Sequence, residues 1–62
     1  MKQEDIKSSL LKQVFWNNQP YIMTECILWL NKQEQKFQYS CVLLDKNSNS
    51  TVRVRMEEVD TQ

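Results

Sequence analysis

Apolar positions are spaced for a helix before Val14 and alternate with a period of two after it. The segment Glu4 to Lys12 carries Ile6, Leu10 and Leu11 at i, i+4 and i+5, with Glu4 and Asp5 at its start and Lys12 at its end. That spacing and charge order predict a short amphipathic helix. A helix of this length is unstable by itself, so the Ile6, Leu10 and Leu11 stripe is expected to dock on the rest of the chain, and Leu10→Ala is expected to cost about 2 to 4 kcal/mol as a core truncation.

Val14-Phe15-Trp16 is dense in strand formers, Asn17-Asn18-Gln19-Pro20 supplies turn chemistry, and a second dense run extends from Tyr21 to Leu30. Phe37 to Leu43 alternates, with Phe37, Tyr39, Cys41 and Leu43 on one face. Thr51 to Met56 alternates too: Val52, Val54 and Met56 share one side, while Thr51, Arg53 and Arg55 share the other. Glu57-Glu58-Val59-Asp60 then closes with one helical turn, Val59 acting as a plug. No glycine is present, so asparagine must serve wherever a reversal needs positive φ; the candidates are Asn17, Asn18, Asn31, Asn47 and Asn49.

The Tyr21–Leu30 run is apolar on both faces: Ile22, Cys26, Leu28 and Leu30 have one parity, and Tyr21, Met23, Ile27 and Trp29 the other. A strand of this kind buries one face early and the other late, which predicts a bend or bulge at Thr24-Glu25. If even positions of this strand share the core with odd positions of the next, opposed residue numbers must sum to an odd value. A loop of Asn31 to Lys36 then sets Leu30 against Phe37, Leu28 against Tyr39 and Cys26 against Cys41. With Asp45 to Ser50 as the next loop, Cys41 also pairs with Val54.

The chain has 62 residues, 40% of them hydrophobic, which is one small domain near the lower limit for folding without a metal or a disulfide. Eight basic and eight acidic side chains cancel, removing the net field that draws a protein to nucleic acid or anionic membrane. The run from Tyr21 to Leu30 contains Glu25 and is too short for a spanning helix. Met1-Lys2-Gln3-Glu4-Asp5 has no apolar stretch behind a basic start, so cytoplasmic residence is expected. In that compartment Cys26 and Cys41 are expected to be reduced, buried cross-strand neighbours.

The absence of histidine removes the residue type that supplies most bases, nucleophile partners and metal ligands near neutral pH. Two cysteines cannot complete a tetrahedral zinc site, and no glycine-rich loop exists to hold phosphate. No catalytic activity, metal or cofactor is expected. Glu25 is a lone acid in an apolar strand; its simplest role is to face solvent and protect the strand from aggregation. Arg53 and Arg55 project together from one strand with Lys36 and Lys46 in nearby loops, which would suit a single nucleic-acid strand or simply solvate a sheet face. Ile27 and Trp29 form an apolar patch if their face is outside, and the pattern leaves open whether the bend buries Trp29.

Val14-Phe15-Trp16, Tyr21-Ile22, Tyr39-Ser40-Cys41-Val42-Leu43-Leu44-Asp45 and Val52-Arg53-Val54, closing with Glu57-Glu58-Val59, together resemble the SH3-like small barrels, including KOW- and Tudor-type modules. Such modules often carry glycine in the first reversal, where this chain has Asn17-Asn18, and an N-terminal helix is an addition to their simplest form. The segment Tyr21 to Leu28 is also similar to small proteins of bacterial phages and conjugative elements. The resulting expectation is an α+β, mainly β chain: a helix at about 4–12, a four- or five-strand antiparallel meander at about 14–56 bent into an SH3-like partial barrel, and a closing turn at about 57–60. The expected function is a non-catalytic interaction module, binding a protein partner or itself through Ile27, Trp29, Arg53 and Arg55, in a mobile-element accessory role. The alternative is an accessory nucleic-acid binder using the Arg53/Arg55 face. No membrane association is expected.

Overall fold

A computed structural model describes residues 1–61. Four antiparallel strands run in sequence order across one curled sheet: β1 (Gln13–Trp16), β2 (Gln19–Asn31), β3 (Lys36–Asp45) and β4 (Ser50–Arg55). A 3-10 turn at Gln3–Asp5 leads into α1 (Ile6–Ser9), and a second 3-10 turn at Met56–Glu58 follows β4. The result is a small antiparallel half-barrel with a short N-terminal helix.

The tight reversals follow from residue chemistry. β1 and β2 are joined by the two-residue turn Asn17-Asn18, with φ of 51° and 62°, between the paired residues Trp16 and Gln19. Positive φ at both positions matches the right-handed twist of the flanking strands, and asparagine tolerates it best among residues with a Cβ. Pro20 is accommodated next to the turn because the recorded β2–β3 pairs begin only at Ile22, so its missing N–H breaks no bond on that side. Asn49 also takes positive φ, but Asn31 and Asn47 do not; Gln35 and Leu11 do instead. The Asn31 side-chain oxygen accepts from the backbone N–H of Gln33 (3.1 Å) and Glu34 (3.2 Å), closing the β2–β3 turn from its first residue. Asp45 accepts likewise from the N–H of Asn47 (3.0 Å).

The β2–β3 ladder slips once, between Met23 and Glu25, and beyond the slip Cys26 opposes Cys41, Leu28 opposes Tyr39 and Leu30 opposes Phe37. This is the bulge that the double-sided pattern of β2 requires. Tyr21 and Met23 face the core before it, and Cys26 faces the same side after it. The expected loops shorten slightly, because Asn31 pairs with Lys36 and Asp45 with Ser50 inside the ladders. Val14, Met23, Cys41, Leu43 and Val59 are fully buried, with Val54 beside them and Met1, Trp16, Tyr21, Val52 and Met56 packed around. Val59 enters from outside the sheet, held where Phe15 and Asp60 exchange two backbone hydrogen bonds of 2.8 Å each. The N-terminal ammonium donates to the carbonyl of Val59.

The N-terminal helix is shorter than its spacing predicts, and of its stripe only Ile6 is half-buried while Leu10 and Leu11 are exposed. The helix ends at Ser9; Leu10 is already extended (φ −61°, ψ 131°), and Leu11 is left-handed at φ 63°. Leu10 is 37% exposed and Leu11 73%, whereas Ser9 is buried. The reason is a competing set of long-range hydrogen bonds. The Leu11 N–H donates to the Met23 carbonyl at 2.7 Å, and the Met23 N–H donates to the Lys12 carbonyl at 3.2 Å. Two such bonds to the bulge outweigh one more turn of a helix too short to hold itself. The 2 to 4 kcal/mol penalty expected of Leu10→Ala therefore belongs to fully buried positions instead.

Candidate interaction surface

Residues alternating with the core set occupy the outer face of the sheet. Register places them in cross-strand rows: Ile22 with Leu44 and Thr51; Glu25 with Val42 and Arg53; Ile27 with Ser40 and Arg55; and Trp29 with Gln38. All four candidate residues, Ile27, Trp29, Arg53 and Arg55, thus share this face. Ile22, Ile27, Trp29, Val42 and Leu44 are only half-buried, while Glu25, Arg53 and Arg55 are exposed. The segments outside the sheet contribute Met1, Met56 and Val59 to the opposite, inner face. Along β3 the outer face is apolar at Val42 and Leu44 and polar at Gln38 and the buried Ser40, with an acid on the β2 side and two arginines on the β4 side. Among the described residues the one ion pair is Lys36–Glu34 at 3.3 Å, so none of these three outer-face charges is paired.

Trp29 is neither open nor enclosed: its ring is half-buried, and its indole N–H is shielded from solvent without an acceptor among the described residues. Lys36 opens β3 and pairs with Glu34, and Lys46 lies in the β3–β4 loop, so neither shares a cross-strand row with the arginines.

A second bare surface escapes parity reasoning. The β2 and β3 strands run to 13 and 10 residues, but β1 has four and β4 six, so the far end of the β2–β3 hairpin extends past both neighbours. On the inner face of that arm Leu28, Leu30 and Phe37 are 54%, 47% and 70% exposed. They pair in the expected register yet lie outside the core, because neither edge strand extends beside them and the terminal segments only border them, Gln3, Met56 and Glu57 sharing an open cleft with Leu28 and Phe37. The signal was available in the sequence as the mismatch in strand lengths. Tyr39 marks the boundary, half-buried, its hydroxyl accepting from the Gln3 side chain at 3.2 Å.

The cysteine pair sits on the inner face as directly opposed residues, both thiols free. Burial pushes the Cys41 thiol from 9.0 up to about 12, with the facing Cys26 adding to the rise. Burial also raises Cys26, partly offset by its hydrogen bond with Cys41. Because the thiolate is the nucleophile, neither residue is suited to covalent chemistry near neutral pH. Both pKa values are higher folded than unfolded, so the unfolded chain loses its protons first. The stability they contribute is complete below pH 9.0 and falls as pH rises towards about 12. An aromatic disulfide reagent at neutral pH should label the native thiols far more slowly than those of the denatured chain. Equal rates would mean that the pair is not enclosed.

Among the described residues no three His, Cys, Asp or Glu side chains come together as metal ligands would, and no helix is long and apolar enough to cross a membrane. The curled four-stranded sheet is consistent with an SH3-like fold. In comparisons with protein-family models, curated proteins and solved structures, none matches this chain.

Proposed function

We propose that this protein is a non-catalytic interaction module of SH3-like type that binds a protein partner through the outer face of its sheet and the β2–β3 arm. The observation that carries this is an arm with large apolar side chains on both sides, exposed on the inner side and only half-buried on the outer. Ile27 and Trp29 stand on the outer side; Leu28, Leu30 and Phe37 stand exposed on the inner side. A two-stranded hairpin is marginal in water unless an apolar face is packed against something, and contiguous bare apolar surface marks docking sites. The free edge of β2 beyond the bulge adds unpaired backbone groups to the same region.

A photo-reactive amino acid in place of Ile27 should form protein crosslinks in the cell, whereas the same group in place of Asn47, in the exposed β3–β4 loop, should form none. Absence of crosslinks from position 27 would refute the reading. Exposed Arg53 and Arg55, without an acidic partner among the described residues and on the same face as Trp29, favour nucleic acid as the runner-up partner. Zero net charge and Glu25 on the same face weigh against it. Oligonucleotide binding with a steep salt dependence, together with no protein crosslinks, would exchange the order of the two readings.

A further inference from the structure

We infer that the partner covering the outer face is a second copy of this chain, packed about a two-fold axis that runs along β3 through Val42. The inference rests on the reading of that face as a docking surface and adds its occupant and register.

The argument is one of charge and symmetry. Glu25, Val42 and Arg53 form one cross-strand row on the outer face, with β3 in the middle of the three strands. Strands are spaced about 4.8 Å apart, so Glu25 and Arg53 stand roughly 10 Å from one another and do not pair within the chain. A rotation about an axis parallel to β3 turns a second sheet face-down and exchanges its β2 and β4 sides. Glu25 then lies over the Arg53 of the other copy and Arg53 over its Glu25, while Val42 meets Val42. The neighbouring rows obey the same operation. Ile27 falls over the other copy's Arg55, whose aliphatic stem can cover it, and Leu44 meets Leu44.

An isologous interface needs a surface complementary to itself, and this face carries its acid and its bases on opposite sides of β3, whose outward residues there include the apolar Val42 and Leu44. Zero net charge adds no long-range repulsion between copies. Facing sheets pack with strands aligned to within about 30°, as this operation leaves them. The curl of the sheet confines contact to the strip along β3, so the interface is small and the dimer weak and concentration-dependent.

Sedimentation equilibrium on the full chain over micromolar to millimolar concentrations tests the register. The wild type should move towards dimer mass as concentration rises. Glu25→Arg and Arg53→Glu should each weaken association about tenfold or more, since each places two like-charge pairs in the interface. Both positions are exposed, so the fold should survive, with circular dichroism as the check. Mixing the two single variants should restore the dimer, because Arg at 25 then faces Glu at 53 and the native Arg53 faces the native Glu25. The double variant should also recover self-association. A wild type that stays monomeric, a dimer indifferent to both reversals, or a mixture that fails to associate would each overturn the inference. If crosslinks from position 27 to another protein persist beside a monomeric wild type, the docking surface stands and the self-pairing falls.

Discussion

Leu43→Ala should leave much of the protein unfolded at room temperature, while Leu10→Ala and Leu11→Ala should leave it folded. Leu43 is fully buried in β3, opposite Met23 on one side and Val52 on the other. Removing its branched end deletes buried apolar surface and leaves a cavity between three strands, a loss of about 2 to 5 kcal/mol. At about 0.05–0.15 kcal/mol per residue the total stability of so short a chain is of the same order. Leu10 and Leu11 lie outside the core, and surface truncations of this kind fall within about 0.5 kcal/mol. Denaturant midpoints of the three variants decide it. Comparable shifts for Leu43→Ala and Leu11→Ala would show that the N-terminal segment packs in solution as its spacing suggests rather than as its hydrogen bonds to Met23 dictate.

Val59→Asp should be as damaging at neutral pH and partly recover in acid. Val59 is the only fully buried side chain among the described residues that follow β4, and it closes the open end of the half-barrel between the β1 edge and the 3-10 turn. A carboxylate there has no cationic side chain among the core residues around it, and the N-terminal ammonium at the Val59 carbonyl offsets it only in part, so the buried charge costs about 3 kcal/mol. Its folded pKa would be raised above the ordinary aspartate value of about 3.9. The variant is therefore least penalised below that value and loses stability as pH rises through the raised pKa. Thermal unfolding from acid to neutral pH reads this directly. A variant as stable as wild type at pH 7, with no acid recovery, would mean that Val59 does not plug the core.

Strand order, the Asn17-Asn18 turn, the bulge at Thr24-Glu25 and the registers of both later ladders were legible in the sequence. A strand has a side-chain period of two, and a slip of one residue exchanges every inward side chain for an outward one. Alternation at Phe37–Leu43 and Thr51–Met56 therefore left one acceptable pairing once the loops were placed. Cys26 against Cys41 followed from that arithmetic. The same parity put Ile27, Trp29, Arg53 and Arg55 on one face, and the structure brings them to it.

What covers each face was decided only by tertiary structure. Parity states that Leu28, Leu30 and Phe37 point to the same side as Cys41 and Leu43, but burial needs a second layer. The strands flanking the arm stop short of it, and the terminal segments settle over Cys41, Leu43 and Val54 instead. Helical spacing at Ile6, Leu10 and Leu11 is likewise a local signal. It loses to Met23, more than ten residues away, whose backbone groups at the bulge take Leu11 and Lys12 as partners. Local periodicity fixes the direction of each side chain because backbone geometry sets it residue by residue. Burial depends on what else arrives at that surface, and that is a sum over contacts distant in the chain.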